Sequence, residues 1–323
     1  MLAFRFWAAL CLALCGQHVA AEPLWLSDQP PDPAMTARLR SAHGGWLEPG
    51  PRGTFFKRLW LRAGAIPATA GYATAVEGGE VLLQDPAGAH STPSAADSAG
   101  KHSHWRFPVA KEGFYNVYLT QRKVRDTRLH VSMAKAEVLK HSCREGHDDV
   151  QSKMPPKHLA SIPLELVRER LHKEDFHTRL GFGDTVTFRV LAYGAPVAGA
   201  EVTLNTMSGW RNTAHSDAEG RVHFTLVRDY FPDWADFDYR HRQDFLVIAT
   251  LDRAEAGTLD GVPYARTRYQ ATLAGQYHPS SRDYQSYAYG LAIGLFGLSF
   301  GGLGAYVYRR RRTRPFREVR FHD

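Results

Sequence analysis

Gly194–Trp234 reads GAPVAGAEVTLNTMSGWRNTAHSDAEGRVHFTLVRDYFPDW, and the spacing of its apolar residues decides the fold class. Val202 and Leu204 fall on one face of a predicted strand, and Val222, Phe224 and Leu226 on one face of a later one, because side chains alternate across a pleated sheet. Between them, Ser216-Asp217-Ala218-Glu219-Gly220 supplies the short polar side chains and glycine of a tight reversal. Pro196 and Gly199 place another turn ahead of the first strand. The stretch reads as a β-meander. It contains no phosphate loop, no Gly-x-Ser-x-Gly elbow and no paired carboxylates in a catalytic context.

The same punctuation continues on both sides. Strands are predicted over Phe55–Leu61, Gly79–Gln84, Trp105–Val109, Phe114–Gln121 and Thr127–Met133, then over Leu164–Val167, Thr185–Leu191, Phe245–Leu251 and Tyr264–Leu273. In Phe114–Gln121, Tyr115, Val117 and Leu119 read as a buried face, and Asn116, Tyr118 and Thr120 as a wetter one. Asp85–His102 reads as an exposed loop, and Tyr230–Gln243 as an aromatic, charged insertion that plugs one end of a sandwich. Cys143–Pro156 is charged, breaks the alternation and ends in Pro155-Pro156, which marks a domain boundary. The expected class is all-β: an extended N-terminal segment over 22–51, a first β-sandwich over 52–145, a linker over 146–163 and an immunoglobulin-like second β-sandwich over 164–283.

The two ends give a location. Residues 1–21 combine Arg5, an apolar run and a small-residue cleavage site before Glu22, the pattern of a signal peptide. Leu14 stands where lipidation of Cys15 requires a small residue. Residues 284–308 predict a transmembrane helix, flanked by tyrosines and followed by a basic cytoplasmic tail over 309–323. That tail carries seven arginines against Glu318 and Asp323, and Arg5 lies in the leader, so only +1 of the +7 net charge belongs to residues 22–308. Basicity here reports topology, and no nucleic-acid partner is expected. The expected place is the bacterial inner membrane, single-pass, with the ectodomain in the periplasm, the C-terminus cytoplasmic and the cytoplasmic membrane as the first partner. Gly290 with Gly294 and Gly297 with Gly301 have the spacing for a homodimer through the helix.

Gly194–Val202, Asp217–Arg221 and Tyr277-His278-Pro279-Ser280, with Ala42-His43, Trp46-Leu47 and Pro163–Leu166, resemble a bacterial family of periplasmic proteins commonly labelled as periplasmic components of cobalt or nickel uptake systems. Pro-Val-Ala-Gly-Ala followed by Asp-Ala-Glu-Gly-Arg is similar to carboxypeptidase-regulatory-like immunoglobulin modules. The resemblance implies a non-catalytic accessory protein for nickel or cobalt handling, partnered by a metal transporter or other envelope proteins.

The residues themselves offer one dense donor cluster. His141, Cys143 and His147 place a thiol and two imidazoles within seven residues, and Cys143 is the only cysteine left once the leader is removed. Such donors suit borderline or soft ions, copper(I) included, and His172 and His177 are candidates to complete the shell. His102 and His104, two apart on a strand, form a second candidate pair. Thiol catalysis has no support beyond the proximity of Cys143 and His141, so no enzyme is expected. The competing expectation is a metal-independent scaffold of the cell envelope.

Overall fold

The computed structural model describes residues 22–36, 40–42, 45–74, 76–95, 102–141, 153–229, 242–278, 281–313 and Phe321. The predicted signal peptide, most of the 230–243 insertion and most of the basic tail lie outside the described residues. The chain is mostly β, with one long C-terminal helix.

Three sheets carry the fold among the described residues. One has eight strands in the order β16 (Arg211–His215), β15 (Glu201–Thr206), β18 (Gln243–Arg253), β21 (Arg266–Tyr277), β11 (Arg128–Lys140), β10 (Gly113–Arg125), β6 (Glu80–Gln84) and β7 (His90–Ser91). A seven-stranded sheet runs β2 (Arg40–Ala42), β3 (Gly45–Pro49), β4 (Phe55–Ala63), β9 (His104–Pro108) and β8 (Ser94–Ala95), with β1 (Leu24–Ser27) and β5 (Gly71–Tyr72) also paired to β4. A four-stranded sheet contains β12 (Glu165–Arg168), β13 (Thr185–Ala192) and β14 (Ala195–Pro196), with β17 (Arg221–Thr225) on β13. β19 (Gly257–Leu259) and β20 (Val262–Tyr264) form a separate hairpin, and a single helical turn, α1 (Pro33–Thr36), follows β1.

Side-chain parity along β11 gives the layering. Leu129, Val131 and Met133 share a core with Leu166, Val186, Phe188, Val190, Val222 and Phe224 of the four-stranded sheet. Ala134, Ala136 and Val138 share another with Leu26, Leu59, Leu61, Trp105 and Phe107 of the seven-stranded sheet. Alternate residues of a strand face opposite sides, so the eight-stranded sheet is the middle of three layers. This corrects the expectation for Phe114–Gln121. Asn116, Tyr118 and Thr120 are only 1%, 3% and 6% exposed, because the face read as wetter is also covered. β18 is buried from Gln243 to Ala249 for the same reason.

The two halves of the sequence share this middle sheet. β11 pairs in parallel with β21, Arg128–Lys135 against Arg266–Leu273, so the sheet is continuous across the predicted 146–163 linker. The described part of that linker packs as well: Met154, Leu159 and Ile162 are buried. The N-terminal segment is likewise not merely extended. Leu24–Ser27 pairs antiparallel with β4, Trp25 and Leu26 are each 1% exposed, and Thr272 Oγ1 on β21 donates to the Leu24 carbonyl at 2.6 Å. In the opening stretch, Val202, Leu204, Val222, Phe224 and Leu226 are all buried as expected. The meander itself is broken, because β15 pairs with β16 while β17 crosses to the four-stranded sheet. The turn between them is drawn tight: Asp217 Oδ1 accepts from the Glu219 and Arg221 amides, and Gly220 has φ +75° with a Cβ position 2.6 Å from the Val190 carbonyl oxygen.

The C-terminal helix α2 (Ser281–Arg312) contains a 25-residue segment, Ala288–Arg312, with mean hydropathy 1.6 and none of it buried. It is long and apolar enough to cross a membrane, consistent with single-pass anchoring.

Because the layers share one sheet, urea unfolding of the chain in detergent micelles is expected to give one transition, coincident by tryptophan fluorescence and far-ultraviolet dichroism. Trp25→Ala is expected to cost about 3–5 kcal/mol, as for a large buried aromatic. Two separate transitions, or an unchanged midpoint in the variant, would contradict this account of the layering.

Candidate functional site

The β11–β21 ladder stops at Lys135 opposite Leu273. Both strands continue, β11 to Lys140 paired with β10 and β21 to Tyr277 paired with β18. The middle sheet therefore forks, and the fork opens into a cavity of about 940 Å³ lined by segments of β11, β21, β1, β4 and residues 174–180.

Charged side chains crowd both faces of the fork. On the side of the four-stranded sheet, Lys135 Nζ donates to Glu165 Oε1 at 2.8 Å and to the Lys157 carbonyl at 3.1 Å. The Tyr118 hydroxyl donates to the same Glu165 oxygen at 2.9 Å, and the Leu159 amide donates to Glu165 Oε2 at 3.0 Å. Burial raises the Tyr118 pKa and the adjoining Glu165 carboxylate adds to the shift, so the phenol stays a donor. Arg170 Nη1 donates to Glu137 Oε2 at 3.1 Å, with its guanidinium 3.9 Å from the Phe114 ring centroid. Burial works to raise the Glu137 pKa, but Arg170, Lys135 and Arg168 outweigh it and bring it down to about 2. Arg168 forms a bidentate pair with Glu174 at 2.9 and 2.6 Å.

On the side of the seven-stranded sheet, Lys57 is 1% exposed and its Nζ lies 2.8 Å from Asp28 Oδ2. Burial lowers the lysine pKa and Asp28 opposes it. Asp244, 4% exposed, accepts from Gln29 Nε2 at 2.7 Å through Oδ2, while its Oδ1 has no hydrogen-bond partner. Burial first, and then the Asp28 charge, push the Asp244 pKa from 3.8 up to about 6, against the pull of Arg242, the neighbouring Gln276 amide and Arg62.

A histidine pair sits beside the cavity. Gly113 opposes Lys140 at the open end of the β10–β11 hairpin, which brings Glu112 next to His141. His141 Nδ1 lies 2.6 Å from Glu112 Oε1, and Lys153 Nζ holds the other carboxylate oxygen at 3.1 Å. Nδ1–H donation to this carboxylate leaves the Nε2 edge of the buried His141 ring facing His177. It meets His177 Nε2 at 3.3 Å, with the rings edge to face at a centroid distance of 4.7 Å. Phe176, within the Phe114, Met154 and Phe176 cluster, lies 5.0 Å from the His141 ring, and Asp175 Oδ1 accepts from the His177 amide at 2.9 Å. Metal–nitrogen bonds of 2.0–2.1 Å at a tetrahedral angle put two ligand nitrogens about 3.3 Å apart, so the pair has the spacing of two ligands on one ion.

The remaining sequence candidates have other settings. Cys143 and His147 lie outside the described residues. His172 is exposed, and no group of three His, Cys, Asp or Glu side chains converges as a metal site among the described residues. His104 has both ring nitrogens engaged, Nδ1 with the His102 carbonyl at 3.1 Å and Nε2 with Arg58 Nη1 at 3.3 Å, while the His102 ring packs on Tyr72. Glu112, Asp244, Glu137 and Lys57 were not singled out from the sequence. A charge beside a strand-like apolar run, as in Phe55-Phe56-Lys57 or Asp244-Phe245-Leu246, is the signal that marks β4 and β18 as carrying buried charge.

No family profile and no curated protein sequence matches this chain. Among solved structures, it resembles a DUF4785 family protein from Legionella pneumophila at 8% identity and a TM-score of 0.19, over 61% of this chain and 47% of that one. It also resembles the BSP domain of a biofilm-associated protein at 10% identity and a TM-score of 0.18, over 70% of this chain and 27% of that one. The chain thus spans about half and about a quarter of the lengths of these two structures. Neither likeness carries an argument about fold or activity.

Asp244 gives a pH signature. Its folded pKa of about 6 exceeds the unfolded 3.8, so the folded state holds the proton longer, and stability is lost as pH rises from about 4 through 6. At pH 8 the ionised group costs about 3 kcal/mol. Asp244→Asn is expected to abolish this downward slope in a urea-unfolding series from pH 4 to pH 8, making the variant the more stable protein at pH 8. Parallel profiles for the two proteins would place the carboxylate in a wetter setting.

Proposed function

We propose that this chain is a membrane-anchored, non-catalytic binding protein of the bacterial periplasm that holds a transition-metal ion between His141 and His177. One observation carries the reading: two imidazole Nε2 atoms 3.3 Å apart, one of them oriented by Glu112 at 2.6 Å on its Nδ1. A carboxylate on the far nitrogen fixes the tautomer and raises the basicity of a ligating histidine. Cys143, two residues past His141, and His147 are the nearest further donors in sequence. Imidazole suits nickel, cobalt, zinc and copper(II), and a thiolate ligand would shift the preference towards copper(I). Nickel or cobalt, and delivery to a transporter, rest on the family resemblance alone. In the same reading, each outer sheet with its share of the middle sheet forms an immunoglobulin-like sandwich.

The second reading, an envelope scaffold without an ion, is favoured by the middle sheet that both halves share. Titration of the full-length chain in detergent micelles with nickel, cobalt, zinc and copper(I) separates the two. The metal reading expects micromolar or tighter binding of at least one ion, weakening as pH falls through the imidazole range. His177→Ala is expected to lose at least about tenfold in affinity, and Glu112→Gln about 10–100-fold. Absence of binding by all four ions would leave the scaffold.

Arg309–Arg312 at the end of α2 supports an N-out, C-in orientation, since basic residues stay on the cytoplasmic side. A reporter fused after Asp323 is expected to behave as cytoplasmic, and one replacing the chain after Gln276 as periplasmic. The reverse pattern would refute the orientation.

A further inference from the structure

Residues 174–180 form a continuous piece of the fork cavity's wall. They belong to the connection between β12 and β13, which among the described residues joins the middle sheet through a single bridge, Gly181 with His278. The piece is bounded by Lys173 at φ +61° and Gly183 at φ +87°. Both are left-handed conformations that favour glycine, and a lysine held in one marks a strained joint.

The ends of this piece are fastened and its middle is exposed. Arg168 grips Glu174 through two hydrogen bonds, Phe176 packs with Phe114 and Met154, and the Leu180 carbonyl accepts from the His278 amide at 2.8 Å. Asp175, His177, Thr178 and Arg179 are exposed. The Asp175 carboxylate is spent within the same stretch, accepting from the His177 amide at 2.9 Å and from the Thr178 hydroxyl at 2.7 Å. At His177 the exposed middle meets the body of the protein. Its Nε2 lies 3.3 Å from Nε2 of His141, whose buried ring follows β11 and is held by Glu112. Without an ion this contact is one N–H···N hydrogen bond, of modest net worth. An ion ligated by both nitrogens joins the wall to the sheet by two metal–nitrogen bonds, and outward movement of residues 174–180 must break one of them.

We propose that residues 174–180 are a clasp on the fork cavity, and that a transition-metal ion shared by His141 and His177 fastens it. This role presupposes the metal reading of the two histidines and adds that ion binding and opening of the cavity wall oppose each other. By linkage, the ratio of open to closed clasp falls by a factor of one plus the ratio of free ion to Kd, and any change that frees the clasp weakens the ion through the same coupling.

Lys173 and Arg179 are both exposed, so trypsin reads the clasp directly. The full-length chain in detergent micelles is digested with and without nickel, cobalt, zinc or copper(I), each affinity being measured separately, and the cuts are identified by mass. At a free-ion concentration of about a hundred times Kd, an ion that binds is expected to slow cleavage after Lys173 and Arg179 by about tenfold or more. Cleavage after Arg125, at the turn of the β10–β11 hairpin, is expected to stay unchanged. His177→Ala is expected to remove the slowing. Thr178→Ala, which frees the Asp175 turn, is expected to speed both cuts and to weaken the ion by about threefold or more. Tight binding that His177→Ala abolishes, with both cuts no slower than in the ion-free chain, would overturn the clasp and leave the metal reading standing. Absence of binding by all four ions removes both. If Thr178→Ala fails to fold, the comparison with and without ion on the unmodified chain decides.

Discussion

Eight pairs of parallel backbone partners between β11 and β21 hold this protein together as one body. They place the middle sheet between two others, and a sheet covered on both faces has no solvent side for its polar residues. Asn116, Lys135, Gln243, Asp244 and Thr272 are all buried in it. Ions buried in this way rarely add stability against an apolar alternative, but removing one partner is severe, so they penalise wrong pairings. Lys135, Tyr118 and Glu165 join β11, β10 and β12 at a single carboxylate. A shift of one residue in either ladder would strand that charge in the core.

The legibility of the sequence follows the layering. β17 alternates between a covered and a wetter face, and β15 does so as far as Leu204, so Val202, Leu204, Val222 and Phe224 are readable from spacing. β10 sits in the middle layer, so period-two reasoning assigns a wet face to Asn116, Tyr118 and Thr120, which have none. β1 is four residues long and embedded among proline, aspartate and serine, too short for any period to register. The parallel ladder between β11 and β21 joins distant strands and leaves no local mark in the sequence, whereas a charged, proline-rich stretch does.

The candidate site was half legible. His141 stood out by histidine density, and His177 was named with it, since both are chemically conspicuous. Glu112 was not, because nothing in Lys111-Glu112-Gly113 shows that the hairpin returns the chain to His141 after more than two dozen residues. The charged fork was invisible for a related reason. Its members come from β1, β4, β11, β12 and β18, and only the three-layer packing assembles them. Residues 174–180 tie the two places together physically: Glu174 anchors Arg168 on the fork, and three residues later His177 meets His141.

The Thr272 hydroxyl and the Leu24 carbonyl that it bonds lie 248 positions apart. The first strand can pair with β4 early, but its contact with β21 cannot form until almost the last strand has been made. Contacts of such long sequence separation close slowly, since the entropy of a very large loop is surrendered before any pairing rewards it. During synthesis, the β10–β11 hairpin and its neighbours form early and then wait with one long edge bare, the state in which strand-to-strand aggregation competes with folding. The parallel seam thus leaves the young chain open to strand-to-strand association, and an abrupt rise in its production should be felt first as insoluble protein.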